Sequence, residues 1–126
     1  MSQRILIIED DASSGKMLSS QLTKEGFDVR HVPDAMLGVK ATHEFKPDLL
    51  ILDLLLPAGG GRGVLDRIKL SVKTSRIPVL VLTGLSDGEA QNKYSDHCVE
   101  GYVQKPYDFS KFLEEVKRII SREQNA

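Results

Sequence analysis

The chain has 126 residues, 40% of them hydrophobic and 28% charged, with 17 basic residues against 18 acidic ones and a formal net charge of -1. That length accommodates one domain around a single core, and the balanced charge lacks the basic excess that marks a nucleic-acid-binding face. No apolar run approaches the roughly 20 residues of a membrane helix. The amino terminus "MSQRILIIEDD" is no secretory leader, and the single cysteine, Cys98, has no partner for an internal disulfide, so a cytoplasmic protein with no membrane contact is expected.

In chain order, "RILIIE" (Arg4 to Glu9) is nearly continuous in apolar residues, as a strand covered on both faces should be. A helix carrying Leu18 and Leu22 follows, then "FDVRHV" (Phe27 to Val32), whose alternation predicts an edge strand. The segment from Asp34 to Phe45 is the least clearly patterned helix, with Val39 its one convincing core aliphatic. "DLLILD" (Asp48 to Asp53) is a third strand, and Gly61, Leu65, Ile68 and Val72 make the stripe of a third helix. "IPVLVLT" (Ile77 to Thr83) and the short "EGYVQ" (Glu100 to Gln104) complete the strands, the last as the other edge. Phe109, Phe112, Leu113, Val116, Ile119 and Ile120 then share one face of a final helix. Pro47 and Pro78 punctuate strand starts. Strict βα alternation over five units predicts an α/β fold, a doubly wound parallel sheet with right-handed crossovers, and no internal repeat or linker divides it.

Sheets of this kind carry their sites at the carboxyl ends of the strands. Those ends bring Glu9, Asp10 and Asp11, then Asp53, Thr83 and Lys105, to one rim. Three carboxylates gathered from two strands repel one another unless a cation sits among them. Mg²⁺ suits a few carboxylate oxygens plus water, and Lys105 supplies a fixed positive charge. The set fits phosphoryl transfer, with Asp53 as a nucleophile forming an acyl phosphate and Thr83 as a hydroxyl donor. The alternative, strand-end acids and a surface lysine with no shared purpose, is disfavoured because carboxylates are rarely buried unpaired.

The stretch "DLLLPAGGGRG" (Asp53 to Gly63) fails as a phosphate-cradling loop. A dinucleotide pattern begun at Gly59 needs glycine where Val64 stands, and no "GK[ST]" follows at P-loop spacing. Its glycines exceed what a helix start needs, which predicts a mobile rim and a frayed beginning to the third helix, with Arg62 as a mobile charge.

The order "IIEDD", "LDLLLP", "LTG" and "YVQKP" resembles the receiver domain of two-component response regulators, of the single-domain chemotaxis type, over essentially the whole chain. The resemblance implies a flavodoxin-like sheet order 2-1-3-4-5, with residues 1–126 as one receiver and no output domain. It implies Asp53 as phosphoacceptor, Asp10 as a direct Mg²⁺ ligand, Glu9 acting mainly through bound water, and the Leu55 carbonyl completing the protein ligands. Lys105 would hold a phosphoryl oxygen, the peptide before Pro106 would be cis, and Thr83 with Tyr102 would relay the change to the face made by the fourth helix, fifth strand and fifth helix. The implied partners are a sensor histidine kinase or histidine phosphotransfer protein and a downstream protein target or separate output domain. No organic cofactor and no direct nucleic acid contact are implied. The chain would be a switch that catalyses only its own phosphorylation and dephosphorylation.

Several positions depart from the family pattern. Leu55 and Leu85 stand where polar residues are common; they read either as bulk beside the phosphoryl group that slows self-dephosphorylation or as simply exposed or packed leucines. Cys98 occupies a usual glycine position and reads as an inert packed residue; His31, His43 and His97 lack metal-ligand spacing and read as surface or packing residues. Gln91, Lys111 and Glu115 do not reproduce the charge pattern with which winged-helix regulators dimerise. Three rival readings are weaker. An aspartyl-nucleophile Mg²⁺ phosphohydrolase wants an acid where Leu55 stands, and flavin binding at "ASSGK" would meet repulsion from Glu9, Asp10 and Asp11. A scaffold that is never phosphorylated would have no use for the complete set of acids, threonine and lysine.

Overall fold

The computed structural model describes residues 2–54, 60–85, 88–89 and 99–124. Five strands, β1 (Arg4–Ile8), β2 (Asp28–Val32), β3 (Leu49–Asp53), β4 (Val79–Thr83) and β5 (Gly101–Gln104), form one sheet in the order β2-β1-β3-β4-β5. Every pairing is parallel, with Ile7 opposite His31 and Ile51, Asp53 opposite Leu82, and Thr83 opposite Gln104. This is the doubly wound arrangement expected from the alternation of elements, with the two predicted edge strands at the edges.

The apolar strands divide by parity. Leu6, Ile8, Leu50, Leu52, Val79 and Val81 face one way, onto Ala41, Phe45, Val64, Leu65 and Ile68 of helices α2 (Ala35–Phe45) and α3 (Gly60–Leu70). Ile5, Ile7, Leu49, Ile51, Leu80 and Leu82 face the other, onto Leu18 and Leu22 of α1 (Ala12–Lys24) and Phe112, Val116, Ile119 and Ile120 of the C-terminal helix (Phe109–Gln124). Each fully buried Leu or Ile contributes roughly 1.5–3 kcal/mol. A central strand therefore has no solvent face, which is why its sequence shows no alternation.

One helix reading is extended and another corrected. Helix α2 packs through Gly38, Ala41, Thr42 and Phe45, while Val39 is only half-buried. A side chain at position 38 would meet Ile8 Cδ1 at 2.4 Å, so the helix lies close to the sheet through small residues that hydrophobic periodicity does not register. Helix α3 buries Gly61, Val64, Leu65 and Ile68, whereas Val72 lies beyond its end and is 92% exposed. Of the glycine-rich rim, residues 55–59 lie outside the described residues, and α3 begins at Gly60. Gly61 rests on the main chain of Leu54, and a Cβ there would lie 2.8 Å from Leu54 Cα. The glycine thus admits close helix packing at the end of β3. The expected fourth helix falls largely in residues 86–87 and 90–98, and Gln91, His97 and Cys98 with it, outside the described residues. Among those described, no helix is long and apolar enough to cross a membrane.

Candidate functional site

Parallel strands end on the same side of the sheet, so the residues closing or following β1, β3, β4 and β5 meet on one rim. Asp53 ends β3 and Thr83 ends β4; Glu9 follows β1 and Lys105 follows β5. Glu9, Asp53 and Thr83 are buried, and Asp10 is exposed. One carboxylate oxygen from each of Glu9, Asp10 and Asp53 lies within 4.8 Å of the others. Lys105 enters from the far edge, donating from Nζ to Asp53 Oδ2 at 2.7 Å and to Glu9 Oε2 at 3.2 Å. Its own backbone N–H donates to the Thr83 carbonyl at 2.7 Å, and the following peptide to Pro106 is cis.

The electrostatics record the crowding. Burial, followed by hydrogen bonding with Asp53, pushes the Glu9 carboxyl up to about 7. Burial alone would pull the Lys105 ammonium down, but hydrogen bonding and attraction to Asp53 and Glu9 outweigh it and hold the group above its ordinary value. A single lysine therefore leaves the acidic set short of positive charge. Three oxygens of hard carboxylates in so small a space are the donor chemistry of a divalent cation such as Mg²⁺ or Ca²⁺.

Asp11, which the sequence brings to the same rim, has a different job. It caps α1, accepting from the Ser14 N–H at 2.9 Å and from the Ser14 hydroxyl, and these bonds lower its pKa. Thr83 Oγ1 accepts from the Leu85 N–H at 3.1 Å, which leaves the hydroxyl proton to be donated elsewhere. Tyr102 is half-buried on β5 and packs against the core layer that includes Val79 and Val81. Leu55 lies outside the described residues. The sequence reading gave no role to His31, yet its Nε2 stands 2.7 Å from the Glu9 carbonyl oxygen. Only the closeness of α1 to β2 reveals this, because Gly15 makes room for the imidazole.

A family model described as "Response regulator receiver domain" matches residues 5–117. The chain belongs to the response regulator receiver domain family. Receiver domains are phosphoacceptor switches rather than conventional enzymes, and this receiver domain has the acidic rim that such a role requires. It is 36% identical over 121 residues to the "DNA-binding dual master transcriptional regulator RpaA" of Synechocystis sp., covering 94% of this chain and 49% of the relative. It is also 36% identical over 121 residues to the "Transcriptional activator protein IrlR" of Burkholderia pseudomallei, covering 96% of this chain and 52% of that protein. The chain thus spans about half the length of the curated relatives it matches. Among solved structures, a putative response regulator from Chloroflexus aurantiacus superposes with a TM-score of 0.88 at 27% identity, covering 96% of this chain and 99% of that one.

Proposed function

We propose that Asp53 is the phosphoacceptor of a cytoplasmic phosphorelay receiver spanning residues 1–126. The observation that carries this reading is the 2.7 Å contact between Lys105 Nζ and Asp53 Oδ2 within the acidic cluster of the rim, where Glu9 and Asp53 are buried. A carboxylate oxygen of Asp53 attacks the phosphorus of a phosphohistidine on a sensor kinase or phosphotransfer protein. The new O–P bond forms an acyl phosphate as the donor's N–P bond breaks, and the leaving imidazole nitrogen takes a proton from solvent. Lys105 neutralises charge on the transferred oxygens, and the Thr83 hydroxyl donates to one of them. Glu9, Asp10 and Asp53, with the Leu55 carbonyl, would hold Mg²⁺. When bound, the ion supplies the charge neutralisation that one lysine cannot.

A hydrogen bond from the Thr83 hydroxyl to the phosphoryl group would draw this side chain inward, and the space vacated would admit the Tyr102 ring. The populations of two conformations then shift by the free energy of the new bonds. The readout would be a protein target, or an output domain, docked on the face that includes β5 and the C-terminal helix. The test is incubation with Mg²⁺ and acetyl phosphate followed by intact mass. One phosphoryl adduct is expected on the wild type and none on Asp53→Ala. An adduct that survives the substitution overturns the assignment.

A further inference from the structure

The polypeptide between Glu9 and Asp10 is held from the side by His31. After β1 the Glu9 N–H still donates to the Val32 carbonyl of β2 at 3.1 Å, but the chain of β2 leaves the sheet at Pro33 and Asp34, where α2 is capped. The Glu9 carbonyl is met instead by His31 Nε2 at 2.7 Å. A carbonyl only accepts, so Nε2 carries the proton and donates. The ring fits because position 15 of α1 is glycine; a Cβ there would lie 2.1 Å from His31 Cε1 and 2.2 Å from Nε2.

The carbonyl so clamped belongs to the peptide bond that joins Glu9 to Asp10. Glu9 is pinned at every polar group: its N–H by Val32, its carboxylate by the Asp11 N–H at 3.0 Å and by Lys105, and its carbonyl by His31. Asp10 is exposed, so packing does not hold its side chain, and its position follows from the peptide plane that precedes it. We infer that His31, seated by Gly15, is a positioning residue that sets the Glu9–Asp10 peptide for divalent-cation binding. This rests on the proposed Mg²⁺ site. A polar partner one shell behind a metal ligand typically governs affinity by a factor of ten or more, and here the partner acts through the main chain.

The test is Mg²⁺ titration of the full chain, followed by amide chemical shifts, alongside thermal unfolding. Wild type should bind, and Glu9→Gln should bind more weakly; if wild type binds no Mg²⁺, the metal reading fails and this inference with it. Given binding, His31→Asn, too short to reach the carbonyl, should weaken affinity about tenfold. His31→Gln, whose amide reaches as far as Nε2, should stay within about twofold of wild type. Gly15→Ala, which expels the ring, should match His31→Asn, yet cause no further loss in a His31→Ala background. Unchanged affinity in His31→Asn, or the same loss from Gly15→Ala with and without the imidazole, overturns the inference whatever happens to stability. Should His31→Ala not fold, the comparison of Asn with Gln at this position decides.

Discussion

Gly61 and Gly63 lie in the same first turns of α3, and substitution of each by alanine should change stability in opposite directions. A Cβ at Gly61 would stand 2.8 Å from Leu54 Cα, 2.9 Å from its carbonyl oxygen and 3.1 Å from its carbonyl carbon, whereas nothing lies within 4 Å of one at Gly63. Ordinary contact begins at 3.4 Å, so α3 or the Leu54 main chain must shift by about 0.6 Å. Neither is free to do so. Leu54 N–H donates to the Leu82 carbonyl at 3.1 Å, and Val64, Leu65 and Ile68 fix the helix in the core. Overpacking of this kind costs about 1–3 kcal/mol, while replacing a helical glycine by alanine recovers about 0.5–1 kcal/mol. Gly63→Ala should therefore be stabilised by about 0.5–1 kcal/mol and Gly61→Ala destabilised by about 1 kcal/mol. Urea unfolding of both, analysed as two-state transitions, measures the difference directly. Equal stability of the two variants would refute the argument that contact with Leu54 sets the approach of α3 to β3.

Two further outcomes concern the charges of the rim. Because the folded-state pKa of Glu9 is raised from 4.5 to about 7, by burial first and by its bond with Asp53 second, its contribution is fully present below 4.5 and is lost as pH rises through about 7. The metal-free protein should lose on the order of 3 kcal/mol between about pH 5 and pH 8, at about 1.4 kcal/mol per pH unit, and Mg²⁺ should restore part of that loss at the higher pH. Chelator-treated unfolding curves that are flat or rising over this window would contradict it. Lys105→Met removes the cation that lies 2.7 Å from Asp53 and 3.2 Å from Glu9. It should destabilise by about 1–3 kcal/mol near pH 8 and by less near pH 5, where Glu9 is protonated. An equal loss at both values would argue against the pairing.

The carboxylates, threonine and lysine of the rim were legible because each follows an apolar strand, and parallel strands end together. The caps were harder to sort. Asp10 and Asp11 are adjacent and chemically identical, and only the position of Ser14 on α1 turns one into a helix cap and leaves the other in the acidic set. Val72 was misjudged for a related reason: hydrophobicity in a window does not reveal where a helix ends, and it does not reveal how closely a helix such as α2 approaches the sheet. Buried glycine, alanine and threonine, which define the core face of α2, carry almost no hydrophobic signal.

The parallel βα alternation, the two-layer burial of β1, β3 and β4 and the meeting of Glu9, Asp53, Thr83 and Lys105 thus follow from residue type and spacing, whereas the strand order β2-β1-β3-β4-β5 was implied only by the family resemblance. The first three depend on hydrophobic pattern and chain connectivity, which are local properties of the sequence. The bond from His31 to the Glu9 carbonyl, the seat that Gly15 gives its ring and the contact of Gly61 with Leu54 were decided by tertiary structure. Each depends on the distance between two elements far apart in the chain, where a missing side chain on one determines what the other can place beside the site.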